Sequence, residues 1–93
     1  MSNPSTVSLP DLVTMHVASG VLQSMSKALE SQTGAMPTVD AQGLQTFDSS
    51  AVAVLLELRR ALAQKGQQLR VINQPPKLLE LVALYGVSEL LPA

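Results

Sequence analysis

The chain has no cysteine and no tryptophan, and its only aromatic residues are Phe47 and Tyr85. Without cysteine there is no disulfide framework, no thiolate metal site and no thiol nucleophile, a composition that fits a reducing cytoplasm. Two isolated aromatics form no platform for stacking bases. Six basic residues against seven acidic ones leave a net charge of −1, so the basic face that phosphate binding requires is missing and no nucleic-acid partner is expected. His16 is the only histidine. A Ser/His/Asp triad built from His16, Ser49 and an aspartate would lack the Gly-x-Ser-x-Gly elbow, and scattered carboxylates around one imidazole have no metal-ligand spacing. There is no glycine-rich phosphate loop. The expectation is therefore a chain with no catalytic residues, no metal and no cofactor. Met1 to Pro10 lacks the basic start and apolar run of a signal peptide, and the longest apolar run, Ala51 to Leu56, is too short to cross a bilayer. Any membrane association would come through a partner.

What the chain does contain is alternation. Its 93 residues are enough for one domain, with Met1–Thr6 read as a flexible N-terminus and residues 7–93 as the folded unit. Val7–Leu9 is a short extended piece stopped by Pro10. From Thr14, a plausible N-cap, helical spacing places Val17, Val21, Leu22, Met25, Ala28 and Leu29 on one face. Gly20 within that helix costs up to about 1 kcal/mol against alanine, which calls for a packing reason such as close approach to a sheet. Met36–Ala41 reads as a strand, and a second helix follows, reaching Gln64 or Lys65 before the C-terminal Gly66. Leu69–Ile72 is a strand. Pro75 and Pro76 then open a third helix that ends at Gly86, with one further helical turn from Val87 to Leu91. Strands and helices alternate with connections that do not allow hairpins, so the fold class is α/β: a small, mostly parallel central sheet packed by three to four helices.

The second helix holds the functional question. Asp48, Ser49 and Ser50 stand directly before it, the residue types that cap a helix N-terminus, where unpaired N–H groups and the dipole favour an anion. At about 100° per residue, Ala51, Val54, Leu55, Leu58, Ala61 and Leu62 fall on a broad core stripe. Val52, Leu56 and Ala63 fall on a second stripe, interrupted by Arg59 and followed by Arg60. That second stripe is either core under a neighbouring helix or a docking face, with Val52 and Leu56 at its apolar centre and Arg59 and Arg60 as a basic rim. A phosphate on Ser49 would suit the helix start and alter such a face. From residue types alone, Asp48, Ser49 and Ser50 as mere caps is an equally complete reading. An excess of acidic residues before Ser49 and of basic residues after it also hints at a protein-binding face.

The residues resemble a known family, the STAS domain of sulphate transporters and anti-sigma factor antagonists. The carriers are Phe47-Asp48-Ser49-Ser50 running into Val54-Leu55-Leu56, then Gly66, the strand Leu69-Arg70-Val71-Ile72, and Pro75-Pro76-Lys77-Leu78-Leu79 through Leu84-Tyr85-Gly86-Val87. The likeness spans residues 7 to 91. It implies a STAS-like fold, a non-catalytic docking function and Ser49 as the phosphoacceptor or partner-contact position at the start of the second helix. Ala51 stands where the antagonists carry glycine, and the shorter N-terminus implies that their first strand is missing. Both features, with the Leu-Tyr-Gly-Val ending and Leu91-Pro92, are more similar to the small stand-alone STAS subunit of Mla phospholipid ABC transporters. By that resemblance the partner is the cytoplasmic ATPase of the transporter, held at the inner membrane of a Gram-negative bacterium. The alternative is an anti-sigma factor antagonist that binds a kinase and is switched by phosphorylation of Ser49.

Overall fold

A computed structural model describes residues 6–91. In chain order the elements are β1 (Thr6–Ser8), β2 (Leu12–Val13), α1 (Ala18–Glu30), β3 (Thr38–Asp40), β4 (Thr46–Phe47), α2 (Ser50–Ala63), β5 (Arg70–Ile72) and α3 (Pro76–Leu84). The flexible segment expected over Met1–Thr6 lies outside the described residues as far as Ser5; Thr6 itself opens β1 in register with Thr38. Every strand pair is parallel. One sheet has the order β1-β3-β5, aligning Val7 with Val39 and Val39 with Val71, and β2 pairs with β4 through Val13 and Phe47.

Parallel neighbours need crossovers, and crossovers are right-handed. The strand order runs in one direction across the sheet, so the right-handed rule puts α1 and α2 on the same face, and the two helices pack against each other. Val39 and Val71 are fully buried beneath them, with Leu29, Leu55, Leu58 and Leu78 in the same core. α3 packs on the other flank of α2.

Both helix-ending glycines have positive φ, +75° at Gly66 and +69° at Gly86. At each end the same pair of bonds closes the last turn: Gln67 N–H to Leu62 O (2.9 Å) with Gly66 N–H to Ala63 O (3.0 Å), and Val87 N–H to Val82 O (3.1 Å) with Gly86 N–H to Ala83 O (3.0 Å). This is the Schellman motif, which requires a left-handed residue and so selects glycine.

Several expectations are corrected. Thr14 is not the N-cap of α1: the helix starts at Ala18, and Thr14 instead accepts Val17 N–H (3.0 Å) in a turn that precedes it. In the same turn the Met15 N–H donates to the Asp48 carboxylate (3.2 Å). Gly20 has no close approach to the sheet, since a Cβ built there meets nothing within 4 Å. Ala61, expected in the core, is exposed and faces a shallow cleft between α1 and α2. Val87–Leu91 is the single turn expected, closed by Leu90 N–H and Leu91 N–H on Val87 O (2.9 and 3.2 Å). β2 and β4, two residues each, are too short to leave a period in the sequence.

The Gly66 geometry sets a measurable penalty. Gly66→Ala places a Cβ at a left-handed position and is expected to lower stability by about 1–2 kcal/mol. Urea unfolding should show a lower midpoint with an unchanged slope.

Candidate functional site

The C-terminal end of β4 delivers the chain to Asp48 and the start of α2, beside the end of β2 that leads to Met15. Asp48 is the residue that caps. Its Oδ1 accepts Ser50 N–H at 2.8 Å and its Oδ2 accepts Met15 N–H at 3.2 Å. Ser49 occupies the N-cap position with helical dihedrals (φ −60°, ψ −15°), and its hydroxyl makes no capping hydrogen bond. The aspartate does that work in place of the serine, one oxygen on a donor of α2 and the other on a donor outside it. Ser49 is exposed and Ser50 half-buried.

The second stripe of α2 is divided by its neighbours. Val52 is only 3% exposed and belongs to the core, which decides for this residue the first of the two alternatives left open for the second stripe, core and not the centre of a docking face. Its remaining surface helps to floor a cavity of about 310 Å³ lined also by Ser49, Ala53, Leu56 and Tyr85. Leu56 is half-buried. Ser49 and Tyr85 also line a neighbouring cavity of about 450 Å³, shared with Phe47, Lys77, Glu80 and Leu84, so these two residues form the divide between the two depressions. Arg59 is not brought to this group: it lies half-buried in another cleft beside Glu89 and Leu90. Arg60 is exposed and lines none of these cavities.

Sequence reasoning missed two members. Leu84 is 76% and Tyr85 53% exposed, so α3 ends in a pair of apolar side chains beside Ser49. Helical spacing groups Tyr85 with Leu78 and Val82, which are buried. The helix stops at Leu84, however, and the Schellman turn at Gly86 leaves Tyr85 at the rim. The usable signal was apolar side chains at 81, 82, 84 and 85, more than one helix face can bury.

A larger cavity, about 710 Å³, lies elsewhere, between α1 and β1, where Gly20, Val21 and Met25 line it with Val7. Exposed His16 stands at its edge. Among the described residues no group of three or more His, Cys, Asp or Glu side chains could hold a metal ion, and no helix is long and apolar enough to cross a membrane. The arrangement around Ser49 is an exposed, partly apolar surface with an accessible hydroxyl at the positive end of a 14-residue helix.

The Ser50 N–H and hydroxyl, followed by the Met15 N–H, hold the Asp48 carboxyl below its ordinary value of 3.8. A carboxyl whose pKa is lower folded than unfolded stabilises the fold above its unfolded pKa, and that contribution is lost as pH falls through the folded value. The stability difference between wild type and Asp48→Asn is therefore expected to be constant near neutrality and to shrink once pH drops below about 3.8. Urea titrations at a series of acidic pH values check this.

A family model described as "Mlab, STAS domain" matches residues 2–92, nearly the whole chain. No curated protein matches it.

Proposed function

We infer that this chain, which belongs to the STAS-domain family of MlaB type, is a non-catalytic accessory subunit that binds the cytoplasmic ATPase of an ABC-type phospholipid transport system. STAS domains are in general binding and regulatory units, and the fold here, a small parallel sheet with three helices among the described residues, is of that kind. The observation that carries the reading is the surface around Ser49: an exposed serine outside the capping network, flanked by Leu56, Tyr85 and Leu84. An apolar surface with an aromatic at its centre and polar groups at its margin is the usual anatomy of a protein interface. In this role the chain acts in the cytoplasm and sits at the inner membrane through its partner, within a system that maintains outer-membrane lipid asymmetry.

The same exposed hydroxyl favours a second reading, an anti-sigma factor antagonist in which phosphorylation of Ser49 controls binding to a kinase. A phosphate there would meet the helix dipole without breaking a cap, since the cap belongs to Asp48.

Copurification of the tagged chain from its native cells separates the two. The transporter reading predicts recovery of an ABC ATPase with membrane components, unaffected in kind by Ser49→Ala and reduced about tenfold or more by Ser49→Asp, whose charge must be desolvated at the contact. Recovery of a kinase of the anti-sigma type, together with phosphorylated Ser49 by mass spectrometry, would establish the switch instead. Tyr85→Ala removes an exposed ring and is expected to weaken partner recovery by about tenfold while thermal unfolding stays unchanged, the behaviour of an interface anchor. Leu56→Glu should have the same effect on recovery, with circular dichroism to verify the fold.

A further inference from the structure

The two oxygens of Asp48 are engaged by segments far apart in the chain: Met15 N–H at 3.2 Å from the β2–α1 turn, 33 residues away, and Ser50 N–H at 2.8 Å from the first turn of α2. The turn it reaches is otherwise lightly held. Thr14 O accepts Val17 N–H, and Met15 itself is 71% exposed. We propose that Asp48 is a positioning residue that fastens the Met15 turn to the start of α2, so that Met15 and Ser49 meet a protein partner as one surface.

The physical case is an accounting of acceptors and donors. A carboxylate can accept from both N–H groups at once, whereas an N-cap serine or threonine hydroxyl reaches only the donors of its own helix. The cap at Ser50 needs one oxygen; the second is spent on a backbone donor that does not belong to α2. β2 and β4 pair only through Leu12–Thr46 and Val13–Phe47, and the Asp48–Met15 bond continues that connection one step past the last paired residues. Asp48 N–H adds to it by donating to Val13 O at 3.3 Å. The partner addressed is the one proposed above, and this inference rests on that reading for its second half only. The fastening itself is a property of the isolated chain.

Asp48→Asn keeps one carbonyl oxygen, enough for the Ser50 cap, and turns an NH₂ toward Met15 N–H, which it cannot accept. In the isolated chain, amide hydrogen exchange at Met15 is expected to accelerate about tenfold in this variant while Ser50 keeps its protection. Unchanged Met15 exchange overturns the fastening. The second half is read by a double-mutant cycle on binding of the copurified ATPase, using Asp48→Asn, Met15→Ala and the pair, at a temperature where all three are folded. If Asp48 acts by presenting Met15, the double variant binds no more weakly than Met15→Ala alone; additive losses would assign Asp48 a structural role and overturn the presentation. If no ATPase is captured by the wild-type chain, the docking function and the presentation both fail, and the exchange measurement still decides the fastening.

Discussion

α2 is held between α1 on one flank and α3 on the other, above Val39 and Val71 of the sheet. That three-sided burial is the constraint on which the remainder depends. It buries Ala51, Val52, Val54, Leu55, Leu58 and Leu62, which with half-buried Leu56 covers, at least in part, every apolar side chain of the helix larger than alanine. Its exposed positions, Ala53, Glu57, Arg60, Ala61 and Ala63, are small or charged, and Ser49 stands exposed at its start. The exposed large apolar side chains near that start come from other elements, Leu84 and Tyr85 from the end of α3 and Met15 from the turn before α1. A helix that reads as one core stripe and a second stripe open between core and docking is, in the fold, a core element whose second stripe is buried at Val52 and half-buried at Leu56.

Placing the start of α2 takes a charged side chain. Asp48 caps α2 and joins it to the Met15 turn, which frees the hydroxyl of Ser49 from structural duty. The same bonds lower the carboxyl's pKa, so the cap is ionised throughout the physiological range. An exposed serine with no capping role, beside apolar side chains at a helix N-terminus, suits a contact or a modification, and either is compatible with a family of binding and regulatory domains. Arg59 is excluded from this arrangement by the C-terminal turn, which brings Glu89 and Leu90 beside it.

Local chemistry made much of the fold legible in advance. The glycines at 66 and 86, Pro76 at the first position of α3, and β-branched Val39 and Val71 in the strands each impose a conformation or a burial that neighbours along the chain cannot reverse. Strands and helices separated by short connections then admit only parallel crossovers, and handedness does the rest. Harder to see were features whose cause lies across the fold. Thr14 has the chemistry of an N-cap, but the neighbouring Met15 N–H is claimed by a carboxylate 33 residues away. Val52 and Leu56 have the spacing of an exposed stripe, and whether they are covered depends on where α3 lies.

The sequence by itself determined the α/β class, the order of the three helices and of β1, β3 and β5, the ends of α2 and α3, and the Asp-Ser-Ser start of α2, because backbone preferences and hydrophobic period act over a few residues. Only the tertiary structure decided which of the three capping candidates caps, that Val52 is core while Leu84 and Tyr85 are surface, and that Met15 stands beside the start of α2. These are contacts between segments distant in the chain, fixed by helix packing and by hydrogen-bond donors that no local pattern assigns.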